Sequence, residues 1–220
     1  WIHYYAMLTA PVICVPYDSK IKTIDDLVTE FKARPGEVKV ASAGVGAGGH
    51  LAAETFRKAT GIEYRHIPYK GGYPAVVSTV KGETEVVMQL SMEVADMLRA
   101  KKLRALANMS TQALVIDGYG EVPPVMQFIP DHAPLQYLFG LYVPKGVPPE
   151  VEAAINNAFD AAAASDSMKR LAKEKASAVV NYKGEEALKL SETTGNNVNC
   201  ILQEIGIAKK DPAAFGFICK

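Results

Sequence analysis

Short apolar runs alternate with stripes of helical period along this chain. Residues 12–15 form a continuous apolar run closed by Pro16, as expected of a strand buried on both faces. Residues 20–34 place Ile24, Leu27, Val28 and Phe31 on one helical stripe, and Pro35-Gly36 ends it. A strand over 38–42, a glycine-rich loop and a helix to Thr60 follow, with Gly61 as the C-cap. Strands over 62–67, 85–90 and 103–109 then alternate with helices over 73–81 and 92–100. Such alternation predicts an α/β fold, a mostly parallel sheet with helices on both faces. Prolines interrupt the stretch 111–134, which reads as irregular backbone. Residues 138–143 are a strand, and 149–176 a long helix that Ser165-Asp166 restarts with a cap. A short strand over 178–182 and a helix over 185–205 follow. The opening WIHYYAMLTA reads as strand from the middle of a fold. The elements after 137 make a poor sheet alone, so they are expected to be the return half of a further lobe.

Two loops carry the chemistry. SAGVGAGG follows the strand over 38–42, and PYKGG follows the strand over 62–67. In a parallel sheet both loops and the helix N-termini behind them lie at the carboxyl ends of the strands, where open α/β sheets bind ligands. Gly44, Gly46, Gly48 and Gly49 let backbone N–H groups approach a ligand, and Ser42 adds a hydroxyl. Helix N-termini favour anions, so the pair of loops is expected to hold a carboxylate. Tyr69 offers an aromatic wall, Lys70 a positive charge, and Gly71-Gly72 a second backbone nest. His50 is expected to be structural, and His66 to be a satisfied core or rim histidine. No histidine, cysteine or carboxylate cluster has metal-ligand spacing, and no nucleophile–base pattern is present, so neither a metal site nor an enzyme is expected. The alternative is an NAD(P)-dependent oxidoreductase built on the glycine loop. It fits the dinucleotide motif poorly, because the glycines fall at 44, 46, 48 and 49 and the acidic candidate is Glu63, at the start of the next strand.

Composition narrows the classes. Twenty-four basic residues balance twenty-four acidic ones, which leaves no nucleic-acid footprint. No run approaches the ~20 apolar residues of a membrane span. Cys200 and Cys219 can pair in an oxidising compartment, but sequence leaves the pairing open.

The run VASAGVGAGGHLAAETFRKATGIEYRHIPYKGGYPAV resembles the signature of the extracytoplasmic solute receptors of tripartite tricarboxylate transporters, the Bug or TctC-like family. LRALANMS, GLYVPKGVPPEVEAAINNAF and SDSMKRLAKEKA resemble later segments of the same family, in order. The resemblance implies a periplasmic-binding-protein-like fold of two lobes that close on a small organic carboxylate, without a cofactor. That ligand would be a di- or tricarboxylate, an aromatic acid or an acidic amino acid. It also implies a periplasmic or extracytoplasmic location and membrane transporter subunits as partners, or a ligand-sensing role in a relative of the family. Carried onto this chain, the ligand contacts are Ser42, Gly44, Gly46 and Ala47 in the first loop, Tyr69, Lys70, Gly71 and Gly72 in the second, and Gln89 at the end of the next strand. The second lobe would span 11–136. Residues 1–10 and 137–220 would supply hinge strands and the remnant of an incomplete first lobe, since the family's N-terminal portion has no counterpart here. Ala47 stands where the family usually has Ser, Leu138 where it often has Trp, and Glu85 where it normally has Asp.

Overall fold

A computed structural model describes residues 1–219. The chain opens with strand β1 (Ile2–Thr9) and passes through Ala10 into β2 (Pro11–Pro16). Helix α1 (Ile24–Ala33) starts later than the apolar stripe suggests, because a capping box fixes its origin. The Thr23 hydroxyl accepts from the Asp26 N–H at 3.0 Å, and the Asp26 carboxylate accepts from the Thr23 N–H. Then come β3 (Lys39–Ser42), α2 (Gly48–Thr60), β4 (Arg65–Pro68), α3 (Gly72–Val80), β5 (Val86–Leu90), α4 (Ser91–Arg99) and β6 (Leu103–Asn108). Gly61 ends α2 in the left-handed region, as expected of a glycine C-cap.

These elements build a five-stranded sheet in the order β4-β3-β5-β2-β6. Strand β3 pairs in parallel with β4 and β5, whereas β2 runs antiparallel to both β5 and β6. Four strands therefore share one direction and β2 is reversed among them. Alternate residues of the apolar runs serve opposite layers. Ile13, Val15, Val40 and Met88 pack under α1 and α2 with Phe31 and Phe56, while Val12, Cys14, Ala41 and Val87 pack under α3 and α4 with Val76 and Leu98. Helices on both faces explain why these strands read as continuous apolar runs.

The stretch 111–134 is less irregular than its prolines suggest. It contains a small hairpin of β7 (Leu114–Ile116) and β8 (Gly120–Val122), and a 3₁₀ turn at Val125–Gln127. The chain then enters β9 (Tyr137–Val143), α5 (Pro149–Ala164), α6 (Asp166–Glu174), β10 (Ala178–Lys183) and α7 (Gly184–Glu204). Ser165 breaks the long helix as expected: its hydroxyl accepts from the Met168 N–H and caps α6. Strands β10 and β9 flank β1 in a three-stranded sheet whose two ladders are both antiparallel. Gly140 lies so close to β1 that a Cβ there would overlap the Tyr4 carbonyl.

The two sheets are tied together at α4. Ser91 Oγ lies 2.6 Å from Thr9 Oγ1 and donates to the Ala176 carbonyl at 2.7 Å. The Arg99 guanidinium donates to the Lys173 and Glu174 carbonyls, capping the C-terminus of α6. On the far side, α7 begins against β1 and reaches α2, where Val198, Ile201 and Leu202 join the large core. A Cys200–Cys219 disulfide pins the tail to α7, which settles the pairing that spacing left open.

Candidate ligand-binding loops

The parallel pairing of β3 with β4 sets Ser42 opposite Pro68, so the loops that leave the two strands lie side by side. Backbone bonds zip them together: the Tyr69 N–H donates to the Ser42 carbonyl at 2.8 Å, and the Gly71 N–H donates to the Ala43 carbonyl at 3.0 Å. Gly44 has φ +147, Gly46 φ +75 and Gly71 φ +114, conformations that side chains disfavour.

Beneath the first loop lies a histidine pair. The His50 and His66 rings stack with centroids 4.0 Å apart and planes 11° from parallel. The Gly46 N–H donates to His50 Nδ1 at 3.0 Å, and Ser42 Oγ lies 2.7 Å from His66 Nε2. Because His50 Nδ1 accepts, its ring is neutral with the proton on Nε2, which faces Glu54 at 3.8 Å. Glu54 in turn accepts from the Tyr64 hydroxyl at 2.6 Å and pairs with Arg57. Burial pushes His66 down to about 4, with the neighbouring His50 adding to the shift and Glu54 opposing it. Burial also lowers His50. Both rings are therefore held neutral, and they support the loop from below.

This geometry redistributes the roles expected for individual residues. Ser42 is fully buried and engaged with His66 and Gly44. The N–H groups of Gly46, Tyr69 and Gly71 are spent on internal bonds. Ala47 and Gly71 are the N-caps of α2 and α3, and neither supplies a side-chain cap. The unpaired donors are therefore those of the first helical turns, Gly48 and Gly49 in α2 and Gly72 in α3. Tyr69 is partly buried, while Lys70 is exposed and makes no salt bridge among the described residues. Gln89 reaches the same place, between α2 and α3. A Cβ on Gly49 would overlap the Met88 carbonyl and the Gln89 amide, and one on Gly72 would overlap the Glu93 carboxylate. Glu93 escaped the sequence reading, although a glutamate three residues past the N-cap position of α4 was a usable signal.

Ala47 gives a direct check of the uncapped turn. Its backbone is already extended, at φ −72° and ψ 164°. Ala47→Ser is expected to cap α2 and raise stability by about 1 kcal/mol. A urea midpoint no higher than that of the unaltered protein would show that the first turn is already satisfied.

Two features point away from other uses of this region. Glu63, the acidic residue a dinucleotide site would need, precedes β4, and its carbonyl accepts from the Gly36 N–H at the opposite edge of the sheet. No finding supports the oxidoreductase alternative. A cavity of about 900 Å³ is lined by Thr55, Lys58 and Asp131 together with Asn196, Cys200 and Glu204 of α7, and by neither glycine loop.

Comparison with known proteins agrees with the architecture. The chain is 32% identical over 137 residues to the protein BugT of Bordetella pertussis, covering 62% of this chain and 41% of that protein. A TctC solute-binding protein from Polaromonas superposes with a TM-score of 0.70 at 26% identity, over 93% of this chain and 69% of that one. A structure described as a periplasmic transporter superposes with a TM-score of 0.79 at 27% identity, over 92% and 67%. The matches cover less than half the length of BugT and of two other curated relatives. The α/β, periplasmic-binding-protein-like fold expected from the sequence is the one shared with these solute-binding structures. Since the family model for the tripartite tricarboxylate transporter family receptor matches residues 3–207, nearly the whole chain, the protein belongs to that family of substrate-binding receptors.

Proposed function

We propose that this protein is an extracytoplasmic receptor that captures a small organic carboxylate and delivers it to membrane subunits of a tripartite tricarboxylate-type transporter. The observation that carries this reading is the convergence of two uncapped helix N-termini, α2 and α3, at one edge of the sheet, behind loops that glycine keeps open. Unpaired N–H groups and the positive ends of two helix dipoles suit a carboxylate. Each charge-assisted hydrogen bond there is worth about 1.5–3 kcal/mol. The protein acts in the periplasm, and the Cys200–Cys219 disulfide suits an oxidising compartment. Residues 11–136 form the ligand-loop lobe, and the lobes hinge where the chain crosses between the sheets, at Ala10 and at 135–136. Ligand binding then shifts the balance of open and closed forms.

Titration calorimetry with citrate, malate, glutamate, adipate and terephthalate tests this reading, with NAD as the control. One selective carboxylate is expected, with no response to NAD. Gly46→Val forces a β-branched side chain into φ +75 beside Leu202 and Ile207, and removes the loop geometry without removing a charge. It is expected to weaken that carboxylate at least tenfold, and unchanged affinity would move the clamp elsewhere.

A further inference from the structure

Three helices, α2, α3 and α4, begin at the same edge of the sheet, and two acceptors lie among their first turns. The Gln89 side chain is 2% exposed and runs between Gly49 of α2 and Gly72 of α3. Its Nε2 donates to Glu93 Oε2 at 2.6 Å, which fixes the amide orientation, since the reverse would set oxygen against a carboxylate. The other end, Oε1, has no donor among the described residues. Glu93 is partly exposed and has no cationic partner among the described residues. Among the described residues its carboxylate accepts from the Gln89 amide, and burial raises its pKa.

A buried acceptor without a donor is costly, and a half-buried carboxylate without a cation more so. A ligand bearing only carboxylates would aggravate both, because its second negative charge would approach Glu93. A ligand with an ammonium group beside its carboxylate would satisfy them. Its carboxylate would take the free N–H groups of α2, and its ammonium would donate to Gln89 Oε1 and Glu93. Gln89 Oε1 lies against Gly49, in the turn that supplies those N–H groups. Resting on the carboxylate-receptor reading above, we infer that Glu93 and Gln89 select a zwitterionic ligand of the α-amino acid class over the amine-free acid of the same skeleton.

The test compares matched pairs by calorimetry at pH 7.5, using the protein as its gene encodes it. L-glutamate is set against glutarate, and L-alanine against propionate. At least one amino member is expected to bind ten times or more tighter than its amine-free counterpart, and Glu93→Gln is expected to close that gap. Glu93→Gln keeps the shape and the contact with Gln89, and its urea midpoint reports whether it folds. If the amine-free acids bind as well as or better than the amino acids, the inference fails and the receptor reading stands. A loss shared equally by both members in Glu93→Gln would make Glu93 merely structural and overturns the inference too. No binding by any acid, in these pairs or in the wider carboxylate panel, removes both.

Discussion

Gly49→Ala is expected to lower stability by about 2–3 kcal/mol, although alanine is ordinarily the better helix residue. The gain from helix propensity is about 1 kcal/mol. Against it stands a Cβ that would overlap the Met88 carbonyl, a backbone atom of the central sheet, as well as the Gln89 amide. Neither the first turn of α2 nor β5 can retreat alone, because Leu51 and Phe56 of α2 pack on Met88 and Val40 in one core. Overpacking against backbone costs about 1–3 kcal/mol and at times more. The neighbouring glycine is the control. A Cβ at Gly48 would meet the Tyr137 ring at 3.1 Å and Leu90 Cδ2 at 3.4 Å, both side-chain atoms that can yield. Gly48→Ala should therefore stay within about 0.5 kcal/mol of the unaltered protein. Urea midpoints of the two variants decide the matter: equal effects would show that α2 is free to move away from β5. The same close approach brings the free donors of α2 against Gln89, so Gly49→Ala should also weaken any ligand held there.

How much of this arrangement was written locally varies from element to element. The runs VICV and VVM specify strands covered on both faces, because each needs apolar partners on alternate sides. Gly61 and Ser165 mark helix boundaries through local backbone and hydroxyl chemistry, and both are where the chain placed them. The reversal of β2 has no such local mark: direction within a sheet is decided by which strands pair, and an apolar run is the same read either way. The hairpin at 114–122 was hidden because its strands are three residues long, too short for a period-two pattern, and prolines follow closely. The glycine loops were legible as an anion-friendly edge, but their occupancy was not. Whether Gly46 keeps its N–H for a ligand depends on His50, and whether His50 stays neutral depends on His66, a strand away. Likewise the Gln89–Glu93 pair matters only once α2 and α3 are seen to start on either side of it.

The same histidine pair makes the fold sensitive to acid. His66 has its folded pKa lowered from the ordinary 6.5 to about 4. His132, 2% exposed and packed near Phe56, is likewise pushed by burial to about 4, with the Ala133 backbone opposing. For a histidine whose folded pKa is depressed, the unfolded chain binds the proton more readily. The stability tied to the neutral ring is thus complete above about pH 6.5 and is lost as pH falls towards 4. At about 1.4 kcal/mol per unit, a fully shielded ring would lose ~3.4 kcal/mol. Partial exposure of His66 cuts its share to roughly half, so the two rings together are expected to remove about 4 kcal/mol between pH 7 and pH 4. The depressed carboxylates of Asp26, Glu30 and Asp160 act in the same direction, beginning as pH falls through the ordinary carboxylate range, so they join only at the acid end of the histidine window. Urea midpoints across pH 7 to 4.5 should fall steadily, and a flat profile would mean that water or a proton reaches these rings in the folded state. His132→Phe keeps an aromatic ring beside Phe56 and removes one titrating group, so it should flatten about two thirds of the slope. What remains is shared by His50, which burial also lowers, and by His66. Its protonation would set a positive charge against the stacked His50 ring, whose Nδ1 holds the Gly46 N–H, so acid should loosen the glycine loop before it unfolds the lobe.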